Sequence, residues 1–178
     1  MSNVIKNTIS YFLFLILLFS CHNNYNNQKS NTISNLEKIT IQDYNKLKSL
    51  KTNDVENTLE IAKLNLLKIE DKELDSITIE LIYFEYRDYL NCINIIYESL
   101  KKINNLNSIL TNNTNQLKNM KDDYNNSRSK RDDLEKYLLE EIEIVKETSR
   151  MVNDVTKKIE LETVRFNDLN KKIEEFIN

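Results

Sequence analysis

A nucleophile, a metal ligand or an acid–base pair needs particular side chains at particular spacings, and this sequence offers few. His22 is its sole histidine. It stands in a polar stretch, His22-Asn23-Asn24-Tyr25-Asn26-Asn27-Gln28, where a solvated linker side chain is expected. The chain beyond it has no imidazole to activate a Ser or Cys or to bind metal. Thiolate metal sites need several ligands, and the chain has two cysteines, Cys21 and Cys92. Carboxylates are plentiful, as in Asp122-Asp123 and Glu140-Glu141-Glu143. Acid–base work needs two of them in a sheltered pocket with separated pKa values, and on amphipathic helices such clusters form a solvated face. Zero glycine excludes the usual phosphate-binding and dinucleotide-binding loops. No catalytic residue, no metal ligand and no cofactor is expected, and the chain does not read as an enzyme.

Cys21 is the exception by position. It follows an uncharged apolar run, Tyr11-Phe12-Leu13-Phe14-Leu15-Ile16-Leu17-Leu18-Phe19, and a small residue, Ser20. One charged side chain, Lys6, precedes the run. A charged head, a short apolar core and a small residue describe a secretory signal peptide. The run is too short to span a bilayer, which takes roughly 20 apolar residues. The segment Leu18-Phe19-Ser20-Cys21 resembles the signal of bacterial lipoproteins, with Leu18 and Ser20 matching and Phe19 bulkier than the usual middle residue. The resemblance implies that the Cys21 thiol receives a diacylglyceryl group and becomes the amino end after cleavage. One acyl chain anchors only marginally, at about 0.8 kcal/mol per buried methylene. The diacylglyceryl and amide-linked chains implied together would hold the protein on a membrane almost permanently.

Composition points the rest of the chain toward helix. Gly, Pro and Trp are absent, and Ala62 is the one alanine. Hairpins and bulges depend on Gly and Pro, long helices do not. Loss of residues 1–20 removes Lys6 and takes the net charge from −3 to −4, with both signs interspersed. That offers no strong electrostatic address, and no basic stripe suggests nucleic acid. The expected organisation is a signal peptide over 1–20, a lipidated flexible tether over 21–32 and a helical bundle domain over 33–178. About 158 residues follow the signal, enough for one domain of ordinary size.

The predicted fold is all-α, an elongated antiparallel helical bundle or coiled-coil hairpin of three to five helices. Ser34-Asn35-Leu36-Glu37 has capping-box spacing and predicts a first helix start, with Leu36, Thr40, Tyr44, Leu47 and Leu50 on one face. Thr52-Asn53-Asp54 interrupts it, and Asn53 or Asp54 can cap a second helix. There Val55, Leu59, Ala62, Leu66 and Ile69 form a stripe that Ile61, Leu64 and Leu67 widen, as in a helix packed inside a bundle. A break is expected within Glu70–Ser76. The third helix carries Ile79, Ile82, Tyr86, Tyr89, Ile93, Ile96, Leu100 and Ile103 in three-four alternation, a heptad seam. It is expected to end at Leu110-Thr111-Asn112-Asn113-Thr114, the best site for a tight helix–helix connection. A last seam runs Leu117, Met120, Tyr124, Ser127, Arg131, Leu134, Leu138, Glu141, Val145, Thr148, Val152, Val155, Ile159, Glu162, Phe166, Leu169, Ile173, Phe176. Ser127 and Arg131 are polar on it, so a bend or loop competes with one continuous helix there, and Ser129-Lys130-Arg131-Asp132 can restart the helix.

Three further groups have plain structural readings. Tyr83-Phe84-Glu85-Tyr86-Arg87-Asp88-Tyr89 is the densest aromatic patch, and aromatics with Arg are favoured at binding hot spots. Core packing claims Tyr86 and Tyr89, which leaves Tyr83 and Phe84 as the members whose exposure matters. Arg128, Lys130 and Arg131 form a small basic cluster suited to a solvated turn. Cys92 is expected as a small buried or flanking apolar residue.

Two functions fit. Overall the chain resembles the small helical surface lipoproteins of spirochaetes, some of which bind complement regulators or matrix components. That resemblance implies a lipid-anchored protein of the bacterial envelope, at the outer membrane and cell surface, working in host interaction or adhesion. The other reading is a structural or assembly lipoprotein facing the periplasm. The expected partners are a membrane, through the lipid on Cys21, and a host or envelope protein, with no nucleic acid. Heptads serve hairpins and homo-oligomers equally, so both fit.

Overall fold

The computed structural model describes residues 28–71, 76–126 and 131–177, and among them there are four helices and no strand. Helix α1 covers 28–49, α2 Thr52–Asp71, α3 Ser76–Asn126 and α4 Arg131–Ile177. The signal peptide over 1–20, Cys21, His22 and the tether as far as 27 lie outside the described residues, as do 72–75, Arg128 and Lys130.

The buried residues of each helix repeat one rule. They are Ile33, Leu36, Thr40, Asp43 and Leu47 on α1, and Val55, Thr58, Ala62, Asn65 and Ile69 on α2. On α3 the row runs without a gap from Tyr89 through Cys92, Ile96, Ser99, Ile103, Leu106, Leu110, Asn113, Leu117 and Met120 to Tyr124. Spacings of three and four keep one stripe of an α-helix facing a neighbour. The rule holds through polar members, because a Thr or Asn at one position adds a smaller cost than rotating the whole stripe into water.

Two compact units divide the chain. Of the described residues, the first unit takes those up to Thr40 and from Asn112 to Val145. Its core joins Ile33 and Leu36 with Leu117, Met120, Tyr124, Leu134, Leu138 and Val145. Two ion pairs tie α1 in, Lys29 to Glu135 and Lys121 to Glu37, each at 2.7 Å. The second unit takes Ile41–Thr111 and Lys146 onward. Its core is larger and draws on Leu47, on α2, on α3 from Tyr89 to Leu110 and on α4 from Val152 to Ile177. Fully burying one such side chain contributes about 1.5–3 kcal/mol.

Several expectations are corrected. Helix α1 does not start at Ser34. It is already formed at residue 28, so 28–32 are helix where tether was expected. Ile33 is completely buried and Lys29 reaches Glu135, which together hold the early turns in place. On α1 the buried seam position is Asp43, and Tyr44 is 45% exposed. On α2 the added residues Ile61, Leu64 and Leu67 face outward instead of widening the core contact. No connection forms at Leu110–Thr114. Helix α3 runs on to Asn126, and Leu110, Asn113 and Leu117 are all buried. The α3 seam also sits one row over: Cys92, Ser99 and Leu106 are central, while Tyr86, Ile93 and Leu100 are partly buried against the same core. The α4 seam lies where the spacing predicts it, from Leu134 to Ile173, and α4 opens at Arg131, inside the predicted restart.

Candidate functional site

Helix α3 presents the expected aromatic patch. Tyr83 and Phe84 are 53% and 63% exposed, whereas Tyr86 is half-buried and Tyr89 fully buried. The division follows from the seam, since Tyr89 lies on it while Tyr83 and Phe84 lie around the helix from it. The two outer rings meet edge to face, with centroids 5.6 Å apart and planes at 78°. The Arg87 guanidinium lies over Phe84 at 5.3 Å from its centroid, and an Nη is 3.5 Å from Asp88 Oδ1. Asp88 Oδ2 in turn pairs with Arg165 of α4 at 3.2 Å. The result is a part-ordered aromatic and cationic surface, the chemistry that protein-binding hot spots use.

Behind it the inner face is polar where a plain hydrophobic seam was expected. Tyr89 stacks on Phe166 at 5.3 Å and donates its hydroxyl proton to Asn170 Oδ1 at 2.7 Å. Asn65 Nδ2 donates to the same oxygen at 2.9 Å, and Asn170 Nδ2 donates to Glu174 Oε1 at 2.8 Å. Burial pushes the Tyr89 phenol up to about 12. One turn further on, the Cys92 thiol donates to the Glu162 backbone carbonyl at 3.2 Å. Burial first, and the Glu162 side chain second, push the thiol up to about 12. A thiol held protonated and without solvent access is a packing group, because nucleophilic and metal-binding chemistry needs the thiolate.

Two carboxylates are buried within the units. Glu141, predicted on the seam, is 1% exposed, and its Oε1 has no hydrogen-bond partner. Burial raises its pKa. It borders a cavity of about 190 Å3 together with Met120, Asp123, Leu134 and Glu140. Asp43 on α1 accepts a hydrogen bond from Ser149 Oγ at 3.2 Å on Oδ1, while Oδ2 has no partner. Burial raises its pKa, with Ser149 and then Lys46 opposing. Asp43 was not singled out from the sequence. Its signal was the spacing itself, since Leu36, Thr40 and Leu47 place the intervening seam position at residue 43 whatever side chain stands there. Glu162, the other predicted seam carboxylate, is half-buried and pairs with Arg165 at 3.6 Å.

These groups are not brought into one site. Among the described residues no three His, Cys, Asp or Glu side chains are placed to hold a metal ion. No described helix is long and apolar enough to cross a membrane. Cys21 lies outside the described residues, and of the basic cluster only the start of α4 at Arg131 lies inside them. Comparison with family models, with curated proteins and with solved structures finds no match.

Proposed function

We propose that this chain is a membrane-anchored bacterial lipoprotein that displays a helical bundle for protein–protein contact at the cell surface, in host interaction or adhesion. The observation that carries the display half of this reading is the exposed Tyr83–Phe84–Arg87 cluster, an aromatic and cationic surface on a helix whose other side is committed to the core. The anchoring half rests on Cys21 behind its apolar run. Within the second unit, Glu85, Asp88 and Cys92 of α3 meet Lys172, Arg165 and Glu162 of α4. The order falls along α4 as it rises along α3, which supports an antiparallel pairing of the two helices. The protein acts by contact rather than by catalysis.

Metabolic labelling with a fatty acid tests the anchor. Label is expected on the parent and lost in Cys21→Ser, and undiminished label on that variant rejects the lipid. Protease treatment of intact cells tests the display. Rapid loss of the protein supports the surface, and full protection favours instead a periplasmic assembly role for the same bundle.

A further inference from the structure

The inner seam of α3 leaves the far side of the helix uncovered, and a second heptad row runs along it. Glu80, Tyr83, Arg87, Leu90, Asn94, Tyr97 and Lys101 follow one another at spacings of three and four, and all are exposed. Tyr97 is 54% exposed and Leu90 39%. The row spans about 32 Å at 1.5 Å per residue. It is also close to a palindrome about Leu90: acid, aromatic, donor-bearing Arg, Leu, acceptor-bearing Asn, aromatic, base.

The geometry points to a second copy of this chain, packed antiparallel along this row with the two-fold axis near Leu90. A two-fold contact is self-complementary, so residue i meets residue j and j meets i. Turned end for end, Glu80 falls beside Lys101 of the second copy, and the same pair recurs at the other end. Tyr83 falls beside Tyr97 of the second copy, Arg87 beside Asn94, and Leu90 beside Leu90. A parallel, in-register pair would instead set Glu80 against Glu80 and Lys101 against Lys101, and like charges in such positions are destabilising. Charge therefore fixes the direction. Phe84 orders the Arg87 guanidinium at 5.3 Å and abuts Tyr83, so part of the ordering cost is met before the copies meet. A single helix face of this length falls at the small end of protein interfaces. The pair is weak in dilute solution and rises with local concentration. The inference goes beyond the host-contact reading, draws Tyr83 and Arg87 of that surface into the pair so that the two contacts compete, and does not depend on the lipid.

The test uses the full chain in detergent micelles with a short bis-maleimide, the parent with its own cysteines setting the background. Leu90→Cys is expected to give a covalent dimer well above that background. A mixture of Tyr83→Cys and Tyr97→Cys chains is expected to give more dimer than either alone. In the Leu90→Cys chain, Glu80→Lys or Lys101→Glu is expected to weaken dimer formation about tenfold or more, since each reversal acts twice. The two reversals together are expected to restore it, which separates a lost contact from a misfolded variant. A Leu90→Cys chain no different from the parent, a Tyr83→Cys chain that links to itself better than to Tyr97→Cys, or a double reversal without recovery overturns the pairing.

Discussion

The Tyr89 hydroxyl and the Asn170 side-chain oxygen lie 2.7 Å apart beside the apolar core of the second unit. That oxygen serves two donors, Tyr89 and Asn65, so α2, α3 and α4 are tied at one atom. A polar group shared in this way specifies register, because sliding any one helix by a turn leaves buried donors without an acceptor.

Tyr89→Phe removes one donor and leaves Asn65 to fill the acceptor, at an expected cost of about 1 kcal/mol. Asn170→Leu strands both donors and is expected to cost about 1–3 kcal/mol or more. Denaturant melts of the two variants check the ranking, and equal losses would mean that Asn65 does not use this oxygen.

Cys92 is expected to resist alkylation in the folded chain and to react once the chain is unfolded. Its thiol is completely buried and raised to about 12, so almost no thiolate exists at neutral pH. Mass mapping of the Cys92 peptide after native and denatured labelling reads this directly, without interference from Cys21.

Glu141 and Asp43 set a pH dependence whose sign follows from their burial. Both carboxyls sit above their ordinary values of 4.5 and 3.8. A raised folded-state pKa means that the native chain holds the proton more tightly than the unfolded one. Their contribution is fully present below those ordinary values and is lost as pH rises through the raised ones. Glu141→Gln is therefore expected to match the parent near about pH 4 and to exceed its stability at about pH 8, by about 1–3 kcal/mol. Melts of parent and variant across this range check it, and a constant offset would place the Glu141 carboxylate in water.

Helix α4 was legible almost residue by residue, because Leu134, Leu138, Val145, Val152, Val155 and Ile159 keep one three-four register over the whole stretch, even with Tyr137, Leu139, Ile142, Ile144 and Met151 beside it. On α3 the same argument picks the wrong row. Tyr89, Ile96 and Ile103 belong to two adjacent three-four rows, and the helix packs against neighbours on both sides of them. Ile93 and Leu100 then look more like seam than Cys92 and Ser99, although geometry makes them flanks. The end of α3 was hidden for a related reason: Thr111-Asn112-Asn113-Thr114 is polar, yet only Asn113 needs to fit the buried row, and it does. Exposure of Tyr83 and Phe84 was legible as a question. The outer row from Glu80 to Lys101 was not, because its aromatic and charged members are too far apart to stand out without knowing which side of α3 is covered.

A two-residue break separates α1 from α2. Buried positions on α1 end at Leu47 and those on α2 begin at Val55, a gap of eight residues where the repeat calls for seven. The chain absorbs the extra residue at Leu50-Lys51. Leu50 N–H bonds Leu47 O at 3.2 Å, Thr52 N–H bonds Leu50 O at 2.8 Å, and Val55 N–H opens the new helix on Lys51 O at 3.2 Å. Without that break, α2 would enter rotated by about 100°, the angle of one residue at 3.6 per turn, and Ala62 and Ile69 would leave the core. Deletion of the exposed Lys51 restores the seven-residue spacing and is expected to fuse α1 and α2 into one helix. Its melting point should be no lower than the parent's, with slightly higher helicity by circular dichroism. Deletion of Lys63, equally exposed but inside α2, turns Asn65 and Ile69 off the seam and is expected to destabilise by several kcal/mol, the cost of withdrawing core side chains. If both deletions are equally damaging, the break is an obligatory turn rather than an inserted residue.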